Sequence, residues 1–199
     1  MDTALGPESL EQPYLSRRQN WVTQLARHAL MQPSATALRF VGRTITWAEL
    51  HRRVSGLAGA LHRRGVAPGD RVMILMLNRP EFIETCLAAT MLGAIAVPVN
   101  FRLTPPELAY LVEDCGSTVL VTEPMLAPFA LGVRELAPQL ETVITAESGS
   151  DGAVLSYEDL IAEAGDPAPP VNVPNDSPAL IMYTSGTTGH PKGAVLTLS

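Results

Sequence analysis

The residues best suited to chemistry lie in one short stretch near the end of the chain. It combines hydroxyl side chains, glycines and one lysine, in the order Thr184-Ser185-Gly186-Thr187-Thr188-Gly189-His190-Pro191-Lys192-Gly193. Glycines tolerate positive φ and let backbone N–H groups approach an anion closely. The hydroxyls add hydrogen-bond donors, and Lys192 adds a compact positive charge. These residue types at this spacing indicate a site for a polyphosphate.

Two apolar segments flank this loop and predict the strands that position it. Residues 179–183 and 194–196 each have the length and composition of a buried strand. We therefore expect a loop that joins two strands and wraps around a phosphate. The Walker pattern differs, because there the lysine precedes Ser or Thr at the start of a helix, whereas Gly193 and a strand follow Lys192 here. Composition alone leaves open a flexible surface hairpin rich in Gly and Thr.

The chain before the loop alternates strand and helix patterns, which predicts an α/β fold built on a mainly parallel βαβ sheet layer. Apolar runs predict strands over residues 70–77, 94–99, 118–122 and 142–145. Helical spacing and capping residues predict helices over residues 18–31, 46–65, 78–93, 104–116, 124–140 and 156–164. Residues 37–45 predict a hairpin with its turn at Gly42 and Arg43. The nearly unbroken apolar run at 70–77 is typical of a strand covered on both faces.

Capping signals fix where several of these helices begin. Thr46 with Glu49, Asn78 with Glu81, and Thr104 with Glu107 each have the spacing of a capping box, and Ser156 with Asp159 has the same spacing. In the helix that follows Asn78, the apolar residues predict the core-facing side, namely Phe82, Ile83, Cys86, Leu87 and Leu92. In the helix that follows Thr46, the basic residues favour a solvated face over a surface for an acidic partner, namely His51, Arg52, Arg53, His62, Arg63 and Arg64.

Bulk composition predicts one globular, cytoplasmic domain. The 199 residues are 46% hydrophobic with mean hydropathy +0.15, which excludes a disordered chain. A net charge of −6 argues against a general nucleic-acid surface. No run is long enough for a membrane span, and the acidic N-terminus is unlike a secretory signal. We expect a loose lead-in over residues 1–16, one incomplete domain over residues 17–199, and two reduced core cysteines, Cys86 and Cys115.

Residues 183–193 resemble the signature phosphate loop of the adenylate-forming enzymes, the superfamily of acyl-CoA synthetases, aryl-CoA ligases and luciferases. The match covers the whole loop and is highly specific. Residues 98–108 and 112–115 resemble acyl-CoA synthetases more than amino-acid adenylation domains, particularly the fatty-acid–CoA ligases of mycobacteria. The resemblance runs from Trp21 onward and implies a partial N-terminal subdomain of such an enzyme.

The resemblance implies a reaction and its participants. Such enzymes use ATP and Mg²⁺ to convert a carboxylic acid to an acyl-adenylate, and coenzyme A then displaces AMP. No metal ligand and no catalytic residue is expected in this chain, and Tyr183 is expected to pack in its strand. Carried over from the motif, the phosphate-contacting residues are Thr184, Ser185, Gly186, Thr187, Thr188, Gly189 and Lys192.

The sequence also departs from the family pattern. Family members are well over twice this length, and after the loop they carry an adenine-binding segment, a ribose-binding aspartate, a hinge and a C-terminal domain with a catalytic lysine. Thr197 is followed by Leu198, where the family commonly has a Thr-His pair. We therefore expect a truncated acyl-CoA synthetase that is inactive alone. The alternatives are a stand-alone nucleotide- or anion-binding module, docking to a separately encoded C-terminal remainder, and a gene relic without function.

Overall fold

The computed structural model describes residues 20–146, 153–163, 171, 173–174, 176–184 and 191–198. In this part of the chain the α-helices are α1 Trp21–Met31, α2 Trp47–Arg63, α3 Pro80–Met91, α4 Pro105–Cys115, α5 Ala127–Leu136 and α6 Tyr157–Ala162. The strands are β1 Thr36–Phe40, β2 Arg43–Thr46, β3 Arg71–Leu75, β4 Ile95–Pro98, β5 Val119–Thr122, β6 Thr142–Thr145, β7 Leu155–Ser156, β8 Pro178–Thr184 and β9 Lys192–Thr197.

Seven strands form one sheet in the order β7-β6-β5-β3-β4-β8-β9. Every neighbouring pair is parallel except β8 and β9, which pair antiparallel at one edge. Strands β1 and β2 form a separate antiparallel hairpin. The α/β fold with a mainly parallel sheet is therefore confirmed.

The core lies on both faces of this sheet. Side chains alternate along β3, so that Val72 and Ile74 belong to one apolar cluster while Met73 and Leu75 belong to the other. The first cluster is completed by residues of α1, α2, α3 and α6, and the second by residues of α4 and α5. These four side chains of β3 are fully buried. Helices on both faces explain why the strand reads as an unbroken apolar run.

The first hairpin and the helix after it differ in detail from the sequence prediction. The turn is formed by Val41 and Gly42, which both have positive φ, and Arg43 already lies in β2. Two successive positive φ values are the requirement of a tight hairpin turn that matches strand twist. Thr46 caps α2 by accepting from the Glu49 N–H at 3.2 Å. The Glu49 carboxylate turns away to Arg43, at 3.4 Å, so only half of the predicted capping box forms.

The N-cap of helix α3 lies one residue later than predicted, and its predicted core-facing side is confirmed except at Ile83. Arg79, not Asn78, is the N-cap residue, since Pro80 takes the first helical position and disfavours helical geometry before it. Leu92 is fully buried, and Phe82, Cys86 and Leu87 pack half-buried against the first apolar cluster, whereas Ile83 is 40% exposed. The buried part of the helix also includes residues that the apolar pattern did not predict, namely Glu81, Glu84, Thr85, Ala88 and Ala89.

Ion pairs explain these inward-facing glutamates: Glu81 pairs with Arg79 at 3.1 Å, and Glu84 belongs to a buried cluster that also corrects the prediction for Arg53. Arg53 is 3% exposed and lies within the core side of α2, not on a solvated face. Its Nε donates to Glu84 Oε1 at 2.7 Å, and its two terminal nitrogens donate to the Glu158 carboxylate at 2.9 and 2.7 Å. The Tyr157 hydroxyl donates to the other Glu84 oxygen at 2.9 Å. The cluster joins α2, α3 and α6.

Other predicted elements agree with the structure within a few residues. The Thr104–Glu107 capping box is complete, and α4 ends at Gly116 with positive φ. The predicted helix over residues 124–140 is shorter, because a single 3-10 turn precedes α5. Ser156 caps α6 as expected. The predicted lead-in over residues 1–16, the polar loop over residues 147–152 and most of the linker over residues 166–178 lie outside the described residues.

Candidate functional site: a phosphate-binding hairpin

Strands β8 and β9 form the hairpin that presents the candidate phosphate loop. Their antiparallel register places Thr184 opposite Lys192 and Tyr183 opposite Gly193. Thr184 and Lys192 are therefore direct cross-strand neighbours at the end of the hairpin that leads into the loop, and both are exposed. The two predicted strands are thus confirmed, but the prediction that the second is buried is wrong, because β9 lies at the edge of the sheet and all six of its residues are exposed.

The remaining predicted phosphate ligands lie outside the described residues and stay predictions. They are Ser185, Gly186, Thr187, Thr188 and Gly189. The structure brings together only the first and last members of the predicted set, a hydroxyl and an ammonium group. That pair supplies a hydrogen-bond donor and a positive charge on one side of the loop.

The position of the hairpin in the sheet favours ligand binding. β8 pairs in parallel with β4, with Leu180 beside Ala96, so Thr184 lies at the carboxyl edge of the parallel strands. In open α/β sheets, ligands bind in crevices outside this edge. Lys192 is also the only lysine in the sequence, where the other 13 basic residues are arginines. Its exposed ammonium group is the point charge of the hairpin.

The carboxyl edge is reinforced by a residue that the sequence analysis did not single out. Glu123 follows β5, is 5% exposed, and accepts a hydrogen bond from the Leu77 N–H at 2.9 Å. Arg79 lies 3.6 Å from the same carboxylate. In addition, Thr122 Oγ1 donates to the Leu75 carbonyl at 2.8 Å. The one feature of the sequence that could have pointed to Glu123 is its place directly after an apolar strand.

Tyr183 packs in its strand as predicted, and it also makes a polar contact that was not predicted. Its side chain lies against the second apolar cluster. Its hydroxyl donates to Asp114 Oδ2 in the last turn of α4, at 2.6 Å. Burial and this hydrogen bond raise the pKa of Tyr183, so the phenol remains a donor at neutral pH.

Both cysteines are free thiols that pack against the apolar clusters, half-buried rather than fully buried as predicted. Burial raises the pKa of Cys86 to about 12 and also raises that of Cys115, which suppresses the reactive thiolate. Within the described ranges, no three His, Cys, Asp or Glu side chains gather closely enough to hold a metal ion. None of the described helices is both long and apolar enough to cross a membrane.

The described residues thus form an α/β sheet with an edge hairpin that presents a hydroxyl and a lysine side by side. Comparison with known proteins gives the family. A family model described as AMP-binding enzyme matches residues 25–199, and the chain belongs to that family.

The relatives that the chain matches include proteins named as CoA synthases and CoA ligases. It is 43% identical over 171 residues to a feruloyl-CoA synthase of Amycolatopsis sp, which is 86% of this chain and 32% of that protein. It is 39% identical over 153 residues to a long-chain-fatty-acid–CoA ligase of Mycobacterium tuberculosis, covering 77% of this chain and 29% of the relative. The chain therefore spans about a third of the length of these relatives.

Solved structures confirm the fold. The crystal structure of the anthranilate CoA ligase AuaEII in complex with anthranoyl-AMP superposes with a TM-score of 0.84 at 30% identity, over 90% of this chain and 35% of that one. The predicted similarity to the N-terminal part of an adenylate-forming enzyme is thus confirmed, including the relation to mycobacterial fatty-acid–CoA ligases.

Proposed function

We propose that the chain supplies the ATP-gripping part of an acid–thiol ligase. One observation carries the proposal: Thr184 and Lys192 face each other across a hairpin at the carboxyl edge of a parallel sheet. Membership of the AMP-binding family supports reading this pair as the two ends of a phosphate loop. In this proposal the ligands of the β- and γ-phosphates are Thr184, Ser185, Gly186, Thr187, Thr188, Gly189 and Lys192.

The proposed reaction has two steps. A carboxylate oxygen attacks the α-phosphorus of ATP, the bond to the β-bridging oxygen breaks, and pyrophosphate leaves. The thiol of coenzyme A then attacks the acyl carbon, and AMP leaves. Negative charge grows on pyrophosphate in the first step, so Lys192 and fixed hydroxyl and N–H donors would lower that barrier electrostatically.

The proposal also assigns substrates and a compartment. Mg²⁺ would arrive with ATP, since phosphate oxygens supply most of its ligands. The carboxylic acid is a fatty or aromatic acid, which the names of the matched ligases support. The half-buried free thiols favour a reducing, cytoplasmic location.

Calorimetric titration of the purified chain with Mg·ATP and with pyrophosphate tests the proposal. We expect Lys192→Ala to weaken both affinities by roughly tenfold to hundredfold, because a charged hydrogen bond contributes about 1.5–3 kcal/mol. Arg52→Ala, which removes an exposed positive charge from α2, is the matched control and should leave both affinities unchanged. Equal weakening by the two variants, or no binding by the unmodified chain, would contradict the assignment.

The proposal further states that this chain alone does not complete the reaction. An assay of ATP-dependent acyl-CoA formation, with a full-length relative run beside it, should give product only for the relative. Sustained turnover by the chain would overturn this statement while leaving the phosphate site intact.

The exposed edge of the sheet favours a second candidate, a phosphate-binding module that docks onto a separately encoded C-terminal remainder. All six residues of β9 are exposed, as are the large apolar side chains Met182, Val195 and Leu196. An open edge strand with apolar side chains is a template for pairing with another chain. If the chain co-purifies with such a remainder and Val195→Lys abolishes this co-purification, docking at β9 is supported. If Val195→Lys co-purifies as well as the unmodified chain, this edge is not the contact.

A further inference from the structure

We propose that Tyr183 and Asp114 form a positioning pair that fixes the phosphate hairpin against helix α4. The inference rests on the proposed function for its consequence, the alignment of Thr184 and Lys192 on one anion. Its structural part depends only on the described residues.

The geometry of the pair carries the first step. Tyr183 directly precedes Thr184, and its hydroxyl reaches Asp114 Oδ2 at 2.6 Å, across 69 residues of chain. A hydrogen bond to a carboxylate is among the stronger kinds. α4 is itself fixed at that end, because Arg71 of β3 donates to the Gly116 carbonyl at 2.6 Å. The hydrogen bond therefore connects the end of β8 to a part of the fold that is held in place.

Gly193 carries the second step. It lies opposite Tyr183 in the hairpin register. A Cβ atom on Gly193 would lie 3.4 Å from Tyr183 Cζ and 2.8 Å from Ile181 Cγ2. The tyrosine ring thus lies across the glycine backbone, a pairing that fixes register in antiparallel strands. Lys192 directly precedes Gly193, so the same contact fixes the strand that carries the ammonium group.

Among the described strands, β9 is held in the sheet through β8. β9 is an edge strand with all six residues exposed. In the described part of the sheet, β9 pairs with β8 alone. The orientation of Lys192 relative to the sheet therefore depends on how β8 is held, and the phenol–carboxylate bond holds β8 one residue before Thr184.

Hydrogen–deuterium exchange without nucleotide tests the structural part. We expect Tyr183→Phe and Asp114→Ala each to speed exchange in peptides covering β8 and β9 by about fivefold to tenfold, the loss of roughly one hydrogen bond. The double variant should be no worse than either single variant, since both remove one interaction. Glu113→Ala, which removes the neighbouring exposed carboxylate from the same helix end, is the control and should leave exchange unchanged.

Nucleotide affinity tests the positioning part. Tyr183→Phe should weaken Mg·ATP binding several-fold, while its melting temperature falls by no more than about 4 °C, the shift expected for one lost hydrogen bond in a chain of this size. A general loss of stability would lower the melting temperature further. Unchanged exchange in Tyr183→Phe, or equal effects of Asp114→Ala and Glu113→Ala, would overturn the pair. Altered exchange with unchanged ATP affinity would overturn its positioning role. If the unmodified chain binds no ATP, the proposed function fails, while the exchange result still decides whether the pair restrains the hairpin.

Discussion

Replacing Arg53 by alanine should destabilise the fold far more than the same replacement at Arg52. Arg53 is 3% exposed and bonded to two carboxylates, of which Glu84 is completely buried. Arg52 is the next residue along α2 and is exposed. The two variants delete the same side chain from adjacent positions, so they separate a buried ionic cluster from a solvated helix face.

The expected magnitude follows from what each deletion leaves behind. Among the described residues, the buried Glu84 carboxylate without Arg53 keeps only the Tyr157 hydroxyl as a hydrogen-bond partner. Breaking a buried pair by removing one member costs about 3–5 kcal/mol, which is a large part of the 5–15 kcal/mol typical of a domain. Removing an exposed arginine costs roughly 0.5 kcal/mol or less.

Urea unfolding followed by circular dichroism measures both free energies of unfolding. Arg53→Met combined with Glu84→Gln removes both charges and keeps an acceptor for the Tyr157 hydroxyl. We therefore expect the combination to lose less stability than Arg53→Met alone. A difference of under 1 kcal/mol between Arg53→Ala and Arg52→Ala would refute the reasoning.

Three further predictions concern the same chain. Arg53 holds the pKa of Glu158 below its usual value of about 4.3, so their ion pair stabilises the fold above that pH and loses this contribution as the pH falls further. In an acid unfolding series, the free energy of unfolding of Glu158→Gln should therefore fall less steeply below about pH 4 than that of the unmodified chain. Burial raises the pKa of Cys86 to about 12, so at pH 8 this thiol should react with a maleimide on the order of a thousandfold more slowly than an exposed cysteine. Rapid labelling of Cys86 in the folded chain would contradict its burial. Gly193→Ala should destabilise the hairpin by about 1–3 kcal/mol, because the new Cβ would lie 2.8 Å from Ile181 Cγ2. The variant should therefore be cleaved faster between β8 and β9, and a cleavage rate equal to that of the unmodified chain would argue against this contact.

The sheet could be predicted from sequence because its signals are local. Strand β6 was predicted at its exact bounds from four consecutive residues, Thr142–Thr145. The run around β3 predicted helices on both faces, since a strand buried on both sides needs no alternation. The two ends of the phosphate hairpin were also predictable, as apolar strands flank a polar, glycine-rich loop.

The errors came from interactions between residues distant in sequence. Arg53 reads as one of several basic residues on a helix, and its partners lie 31 and 105 positions away. Without them, an arginine is expected in solvent. The same cluster turns Glu84 of α3 inward, while Ile83 is 40% exposed, so the apolar pattern of that helix identified only part of its buried face.

The candidate site shows the same division. The lysine and the hydroxyls that predict phosphate binding are adjacent in sequence, so their chemistry could be read directly. The bond between Tyr183 and Asp114 spans 69 positions, and a tyrosine in an apolar strand gives no sign of a polar partner.

The most direct test of the central claim uses the fact that Lys192 is the only lysine in the chain. Labelling with ¹⁵N-lysine should give a single backbone amide signal in a heteronuclear NMR spectrum. If the hairpin grips the phosphates of ATP, this signal should shift and saturate on titration with Mg·ATP and with pyrophosphate, and should stay in place with adenosine. A Lys192 signal that remains unmoved at concentrations where ATP binds would contradict the account.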